Sequence, residues 1–514
     1  MNVLVLKMAR EFAGYAWLAE HFLLPLVRLR SIAVIGGRDG PHGDDSQSVL
    51  RFTPAYRPKD GVIGHLFFAL KHEPVQLEML ALTFQRIDPA ELLNAIRTSP
   101  SGRYARLACF LYEWLTGQVL PLEVEVAGGY VPVLDEKSML VGAGRRDPRW
   151  RVLNNLSGTP AFCPTIRRTI RLQSLLNVDF ATRIASFRKT IDPRLFERAI
   201  GYLYQKETRS SFAIERETLP ADRAGLFLKA LSQAGTDTGL LSEQGLVALQ
   251  GTILDPRYVE SGFRTSQNYV GEALPAYREK VHYVCPPPQF VASLMRGLCE
   301  LPAAVAGIEP IAEAAMLSFG FVFIHPFTDG NGRIHRFLIH DVLARRAVIP
   351  KDIIVPVSAY MLRHPGDYTA ALEAFGVPLF DILRYELDEL RHDLVVENPD
   401  DVEAAYRYPD LTVQAEFLAH ALRASVEDDL LEEVDFLRKY DAALSLVRQV
   451  VDMPDKRLSL LIRLLHENSG RLSRTKRQSQ FGELKDDEVI AVQEAFAEAF
   501  GITRDLWTDS DEKG

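Results

Sequence analysis

Cysteine is scarce in this chain. Its 514 residues hold four, Cys109, Cys163, Cys285 and Cys299, widely spaced and with no Cys-x-x-Cys pair. Neither a zinc framework nor a disulfide scaffold is indicated, and the pattern fits a reducing cytoplasm. Long apolar runs are missing too. Met1 to Gly36 is apolar-rich but broken by Arg10, Glu11, Glu20, His21, Arg28 and Arg30. A membrane span needs ~20 apolar residues, and a signal peptide needs an unbroken apolar segment. No membrane partner is therefore expected. Positive charge is not in excess. Lys and Arg number 59 against 68 Asp and Glu, a net charge of −9. That argues against broad nucleic-acid affinity and leaves only a local basic patch open. Repeats at solenoid periods and low-complexity tracts are also lacking.

The composition itself is that of a soluble globular protein, 47% apolar and 25% charged, long enough for roughly two to four domains. Residues 1 to about 120 read mostly helical. Gly14 to Val27 is apolar-rich, Gln76 to Ile96 contains the helix start Asp88-Pro89, and Arg103 to Thr116 is a strongly apolar helix with Trp114. Gly36 to Gln47 reads as an exposed loop. Leu122 to Leu134 alternates in polarity and predicts a hairpin turning at Gly128-Gly129, with Pro132 placing its second strand at an edge. Val141 to Pro164 is polar and reads as a link into a central domain. From residue 400 the chain is helical and at first acidic, then basic from Arg471 to Arg477. A winged-helix DNA-binding unit and a helical packing domain both fit that last pattern. The expected domains are 1–155, 156–395 and 396–514.

One stretch concentrates chemistry: His325-Pro326-Phe327-Thr328-Asp329-Gly330-Asn331-Gly332-Arg333-Ile334-His335-Arg336. The apolar run Met316 to Ile324 leads into it. A helical repeat through Ile334, Leu338 and Val342 follows. The polar run therefore sits at a turn opening a helix, where free N–H groups and the helix dipole favour an anion. Gly330 and Gly332 permit unusual backbone angles and close approach, and Asn331 tolerates the left-handed region. The three together can form a phosphate nest. Arg333 and Arg336 share a helix face and suit forked contacts to phosphate. Asp329 is a hard oxygen ligand suited to Mg²⁺ held between phosphates. His325 has the ordinary pKa of a base working near neutrality.

This run resembles the signature of the Fic (filamentation induced by cAMP) family, His-x-Phe-x-(Asp/Glu)-Gly-Asn-Gly-Arg-x-x-Arg, and meets every fixed position. A second stretch, Thr208 to Glu217, follows a helix opened by Asp192-Pro193. It resembles the inhibitory motif (Ser/Thr)-x-x-x-Glu-(Gly/Asn) of one Fic subgroup, with Ser211 and Glu215 in the Ser and Glu positions and Arg216 where the family usually has Gly or Asn. A third, Gly262 to Gly271 and Val281 to Pro288, resembles the Fic β-hairpin flap. Its segment Val281, His282, Tyr283 and Val284 is the candidate edge that pairs with an extended target by strand addition. In the family a side chain beyond the core borders the nucleobase; Tyr368 is the candidate, with Tyr360 nearby.

The resemblance implies a mainly α fold: a Fic-type helical core with a small β-hairpin flap, flanked by helix-rich terminal domains. It implies a protein adenylyltransferase moving AMP from ATP to a Tyr, Thr or Ser hydroxyl of a target protein. In that reading His325 is the base and Asp329 holds Mg²⁺. Gly330, Asn331, Gly332, Arg333 and Arg336 bind ATP. Glu215 competes for Arg336 and restrains the enzyme. Other readings stay open: transfer of another phosphoryl-linked group, removal of AMP, or a DNA-binding regulator with an auxiliary Fic site. A homodimer and DNA contacts through the terminal segments stay open as well.

Overall fold

The structure is a computed structural model that describes residues 11–36, 40–42, 48–122, 124–217, 220–275 and 278–502. It is mainly helical, as expected, with four small sheets among the described residues. The chain divides into two compact units. One comprises Met1–Asp179, Thr208–Asp352 and Val357–Arg423; the other comprises Phe180–Glu207, Ile353–Pro356 and Ala424–Gly514.

The larger unit contains the N-terminal layer and the signature. Its N-terminal part holds a four-stranded sheet in the order Glu11–Ala13, Ser31–Ile35, Ser48–Phe52, Gly40–His42. Helices still outweigh strands in residues 1–120, but local periodicity does not announce this sheet. Ser31–Ile35 and Ser48–Phe52 run parallel, with Ser31 opposite Ser48 and Ile35 opposite Phe52. A parallel pair needs partners distant in sequence, which local periodicity does not reveal. The helices Gly14–His21, Val62–His72, Leu77–Phe84, Pro89–Thr98 and Arg103–Thr116 bury one core with this sheet, centred on Tyr15, Leu66, Leu80, Ala108 and Leu111. The cap at Asp88 forms as the sequence predicts: its Oδ1 accepts the Ala90 N–H at 2.9 Å, with Pro89 first in the helix. The expected loop Gly36 to Gln47 lies largely outside the described residues, apart from the strand Gly40–His42.

The described residues of Leu122 to Leu134 contain no hairpin. Val131–Pro132 instead pairs in parallel with Val152–Asn154, which pairs antiparallel with Arg145–Asp147. Pro132 does lie on an edge strand, where its missing N–H costs no ladder bond. The supposed link Val141 to Pro164 thus supplies two strands of a sheet. It also buries Trp150 completely, with the indole N–H donating to Glu113 at 2.7 Å. Across the boundary expected near 395, residues 163–165 lie along residues 407–411. Cys163 N donates to Arg407 O at 2.8 Å, Thr165 N to Pro409 O at 2.9 Å, and Leu411 N to Thr165 O at 2.9 Å. Ala404 and Tyr408 join the N-terminal core.

The signature is carried by a helical hairpin. The helix Pro310–Ile324 is apolar all round, and each of its residues from Ile311 to Ile324 except Val322 is buried. It stops because His325 takes a left-handed conformation (φ 52°) and Pro326 follows. The return helix, Asn331–Arg345, packs against it. Between them Phe327 is fully buried, and burying such a side chain contributes about 1.5–3 kcal/mol toward holding the loop down.

Every regular element described in the smaller unit is helical, with Leu430–Val450, Asp455–Glu467, Arg474–Gln480 and Asp486–Phe500 around Leu437, Leu461, Leu465 and Phe496. Residues 180–207 belong here through the Arg198–Asp441 and Lys206–Asp429 ion pairs, at 2.7 and 2.6 Å. A winged helix needs a strand hairpin, and the described residues of this unit contain none. The basic stretch is instead a short helix capped by Ser473, whose side chain accepts the Lys476 N–H. No helix among the described residues is long and apolar enough to cross a membrane.

Candidate functional site

The site forms where the helical hairpin turns. Gly330 takes φ 87°, a left-handed angle that glycine adopts without strain, and the helix begins at Asn331. The left-handed position is therefore Gly330, and Asn331 is helical. The Asn331 amide is committed to structure: its Nδ2 donates to Phe327 O at 2.7 Å and its Oδ1 accepts the Phe327 N–H at 3.1 Å. The side chain staples the loop.

His325 caps the first helix with its N–H on Phe321 O at 2.9 Å. Its Nδ1 lies 3.1 Å from Val322 O. A proton on Nδ1 donates to that carbonyl and leaves Nε2 as an acceptor. Burial pushes the imidazole pKa down to about 4, and the Arg264 charge pushes the same way; the Val322 contact, Glu215 and Asp329 oppose. The ring is therefore neutral at physiological pH, the form a general base requires.

Arg264 holds this loop, a role that no local pattern announces. Its Nε donates to His325 O at 2.7 Å, its Nη2 to Pro286 O at 2.8 Å and its Nη1 to Ser266 O at 2.8 Å, while its N–H donates to Pro326 O at 2.8 Å. One guanidinium thus ties the His325 turn to the start and the exit of the flap. Gln250 and Glu260 support the other side. Glu260 accepts the Thr328 N–H at 2.8 Å, and Gln250 donates to Asp329 O at 3.0 Å.

Both signature arginines are nearly inaccessible, at 1% each. Arg336 Nε donates to Ser211 Oγ at 3.0 Å, and its Nη2 reaches Ser211 O and Glu215 Oε1 at 2.7 Å each. Its Nη1 is buried without a hydrogen-bond partner. Arg333 stacks over the Phe212 ring at 5.2 Å, donating to Glu217 at 2.7 Å and to Asp329 at 3.1 Å. Burial raises the Glu215 pKa, but the charge of Arg336, the hydrogen bond to it and the charge of Arg333 outweigh it and hold the carboxyl below its ordinary range. A Cβ on Gly332 would lie 2.2 Å from Glu215 Oε1. The space left by that missing side chain is where the carboxylate sits.

The arm that delivers Glu215 is the end of the helix Pro193–Ile214. Arg216 N donates to Ala213 O at 3.0 Å and Glu217 N to Phe212 O at 3.4 Å, the paired bonds of a Schellman ending. Arg216 occupies its left-handed position, with φ 57°. The Gly or Asn usual there in the family is the residue type that this angle favours. Arginine at such an angle costs about 1–2 kcal/mol. Arg216→Gly should therefore stabilise the arm by about 1 kcal/mol, read as a higher midpoint of thermal unfolding. An unchanged or lower midpoint would contradict this account of the helix end.

The cavity beside these groups has a volume of about 370 Å³ and is lined by Glu215, His282, His325, Gly332, Arg336 and Tyr368, among others. Tyr368 is buried beside Arg336, whose charge opposes the upward push of burial on the phenol pKa. Tyr360 stacks on His364 at 4.4 Å and does not line the cavity. His335 is fully buried against Phe319. The flap strands are Tyr269–Leu274 and Arg278–Val284, antiparallel with an irregularity at Val270/Gly271. Within the candidate edge, Tyr283 is an anchor whose hydroxyl donates to Phe323 O, and Val284 is buried with its carbonyl accepting the Tyr406 hydroxyl. Val281 and His282 are partly accessible. Pro288 opens the next helix, so the triple proline both ends the strand and starts Pro288–Ala304.

A neutral base, a glycine cradle and two buried arginines at a helix start define an anion-handling site at a helix–loop–helix. Residues 240–343 match the Fic/DOC family. Protein adenylyltransferase fic-1 of Caenorhabditis elegans is 33% identical over 102 residues, covering 19% of this chain and 18% of that protein. The protein of the same name from Caenorhabditis briggsae is 36% identical over 100 residues, covering 19% and 18%. Protein adenylyltransferase Fic of Drosophila erecta is 34% identical over 106 residues, covering 20% and 19%. The matched stretch spans less than a fifth of the length of each of these relatives. A Fic family protein of Desulfovibrio desulfuricans aligns over 65% of this chain and 85% of its own, at 18% identity and a TM-score of 0.36. A Fic domain containing signaling protein of Bacteroides thetaiotaomicron aligns over 52% and 96%, at 18% identity and a TM-score of 0.35.

Proposed function

We propose that this chain transfers AMP from ATP to a Tyr, Thr or Ser hydroxyl of a target protein, and that Glu215 restrains the reaction. The supporting observation is the Glu215 carboxylate seated in the Gly332 cradle on Arg336, beside a neutral His325. An anion already occupies the place that a nucleotide phosphate needs. The adenylyltransferase names of the relatives that match the signature region point the same way.

The chemistry then follows from the side chains. The His325 Nε2 takes the proton of the target hydroxyl as its oxygen attacks the α-phosphorus. The bond from that phosphorus to the bridging oxygen breaks, and pyrophosphate leaves. Free N–H groups at the start of the helix Asn331–Arg345, with Gly332 allowing close approach, face the phosphates. Arg333 and Arg336 hold the outer phosphates once the arm has left. Positioning and electrostatics supply most of the acceleration in such transfers. Val281 and His282 offer the partly accessible flap positions at which an extended target segment could pair, and Tyr368 borders the nucleobase side.

Asp329 is the residue that would hold Mg²⁺. Its side chain is 61% accessible, and one oxygen already accepts from Gly330 and Arg333. The described residues contain no cluster of three or more His, Cys, Asp or Glu able to bind a metal. One exposed carboxylate fits a cation held mainly by phosphates, whose negative charge it neutralises.

The test is incubation of the full chain with ATP labelled on the α-phosphate, followed by mass spectrometry of the modified peptides. The expected result is a peptide carrying AMP on a hydroxyl side chain. Addition of UMP, a phosphate or another group at that position would replace this reading with the corresponding transfer.

A further inference from the structure

The inhibitory motif accounts for Glu215 but leaves Glu217 without a role. The structure gives it one. We propose that Glu217 is a second restraint, which withholds Arg333 from the nucleotide as Glu215 withholds Arg336; this inference rests on the reading of the site as an ATP-using one.

The turn fixes the backbone of Glu217 but not the direction of its side chain. Its N–H closes the outer bond of the helix ending on Phe212 O. Its carboxylate is then free to turn toward solvent, yet it reaches Arg333 at 2.7 Å while keeping 34% of its own side chain accessible. Arg333 has the opposite environment. It is 1% accessible, stacked over Phe212, and its Nε is buried without a partner. A buried guanidinium needs anionic company, because an uncompensated charge there is strongly unfavourable. Glu217 and Asp329 provide it from two sides, at 2.7 and 3.1 Å.

These two carboxylates differ in one respect. Asp329 belongs to the signature loop and stays beside the phosphates when a nucleotide binds. Glu217 belongs to the arm, two residues beyond Glu215, and leaves with it. ATP must therefore displace two carboxylates from two buried arginines. Removing Glu215 alone leaves Arg333 engaged, so the site is opened in part only. The left-handed turn at Arg216 makes this possible, because it reverses the chain and brings position 217 back over the signature helix. A straight helical continuation would carry residue 217 onward along the axis.

The experiment measures ATP affinity by calorimetry in magnesium buffer, with His325→Ala present throughout so that no transfer occurs. E215Q, E217Q and the double variant are compared with the parent, and self-labelling is followed in parallel with His325 intact. E217Q alone should tighten ATP binding about tenfold, a charge-assisted hydrogen bond being comparable to that factor. The double variant should exceed E215Q by a similar factor in affinity and exceed it in labelling. If E215Q tightens binding while E217Q does not, and the double variant equals E215Q, the second restraint is overturned and the reading of the site stands. If neither variant changes ATP affinity, both are overturned.

Discussion

Replacing His325 by alanine should reduce AMP transfer by two to four orders of magnitude, the usual contribution of a general base, roughly 10²–10⁴. The ring has the required form. Its Nδ1 is turned to Val322 O at 3.1 Å, its Nε2 is left to accept, and its pKa is pushed down to about 4 by burial. The low value fixes the pH dependence. His325 stays unprotonated as pH falls from neutrality toward about 4, so its own protonation should impose no acid limb on activity between pH 6 and pH 8 (approximate neutral range). Nucleotide affinity should be little changed, because the imidazole is placed to meet the target hydroxyl while the arginines meet the phosphates. Quantifying labelled protein per unit time, alongside ATP affinity, checks this. Substantial labelling by His325→Ala would remove the histidine from the chemistry.

Replacing Glu215 by glycine should have the opposite sign. The carboxylate makes a 2.7 Å bond to a fully enclosed Arg336. A hydrogen bond to a charged group contributes about 1.5–3 kcal/mol, or roughly ten- to hundredfold in competition with ATP. Since the Glu215 side chain is 34% accessible, solvent screening favours the lower end, about tenfold. Self-labelling from ATP should rise by that factor, and Glu217 should keep it from rising further. Equal labelling of the parent and the variant would overturn the restraint. Acid is a poor substitute for the mutation. The folded-state pKa of Glu215 lies below the ordinary carboxylate value, so its contact is in force above about 4.5 and is lost only as pH falls through the depressed value. Release at physiological pH therefore needs a competitor or a movement of the arm.

What the sequence reveals and what it conceals divide along a physical line. The signature is legible because each of its residue types meets a backbone or charge requirement at one turn. Gly330 supplies the left-handed angle, and Arg333 and Arg336 lie one turn apart on the same helix. Arg216 departs from the Gly or Asn of the motif that Thr208 to Glu217 resembles, and its φ of 57° is an angle that those two residue types favour. Arg264 was not legible. Its partners are carbonyl oxygens at 266, 286 and 325, and carbonyls carry no sequence identity. The hold of Asn331 on the Phe327 backbone is not legible either, because it depends on loop geometry. The parallel strands Ser31–Ile35 and Ser48–Phe52 were missed because that pairing is non-local. Trp150, inside the segment read as a link, was the available hint that Val141 to Pro164 packs into a core.

The arm is part of the same chain as the arginines that it occupies, within one compact unit. This has a consequence for how the restraint scales. An inhibitor tethered at short range acts at a fixed effective concentration, on the order of millimolar. Dilution of the protein leaves that concentration unchanged, so the labelling rate per molecule should be the same at nanomolar and micromolar protein whenever modification is within one chain. ATP is the variable that such a tether leaves exposed. A freely diffusing competitor displaces an intramolecular one once its concentration, relative to its own dissociation constant, matches the closing equilibrium of the arm, so the residual rate becomes a readout of the nucleotide supply.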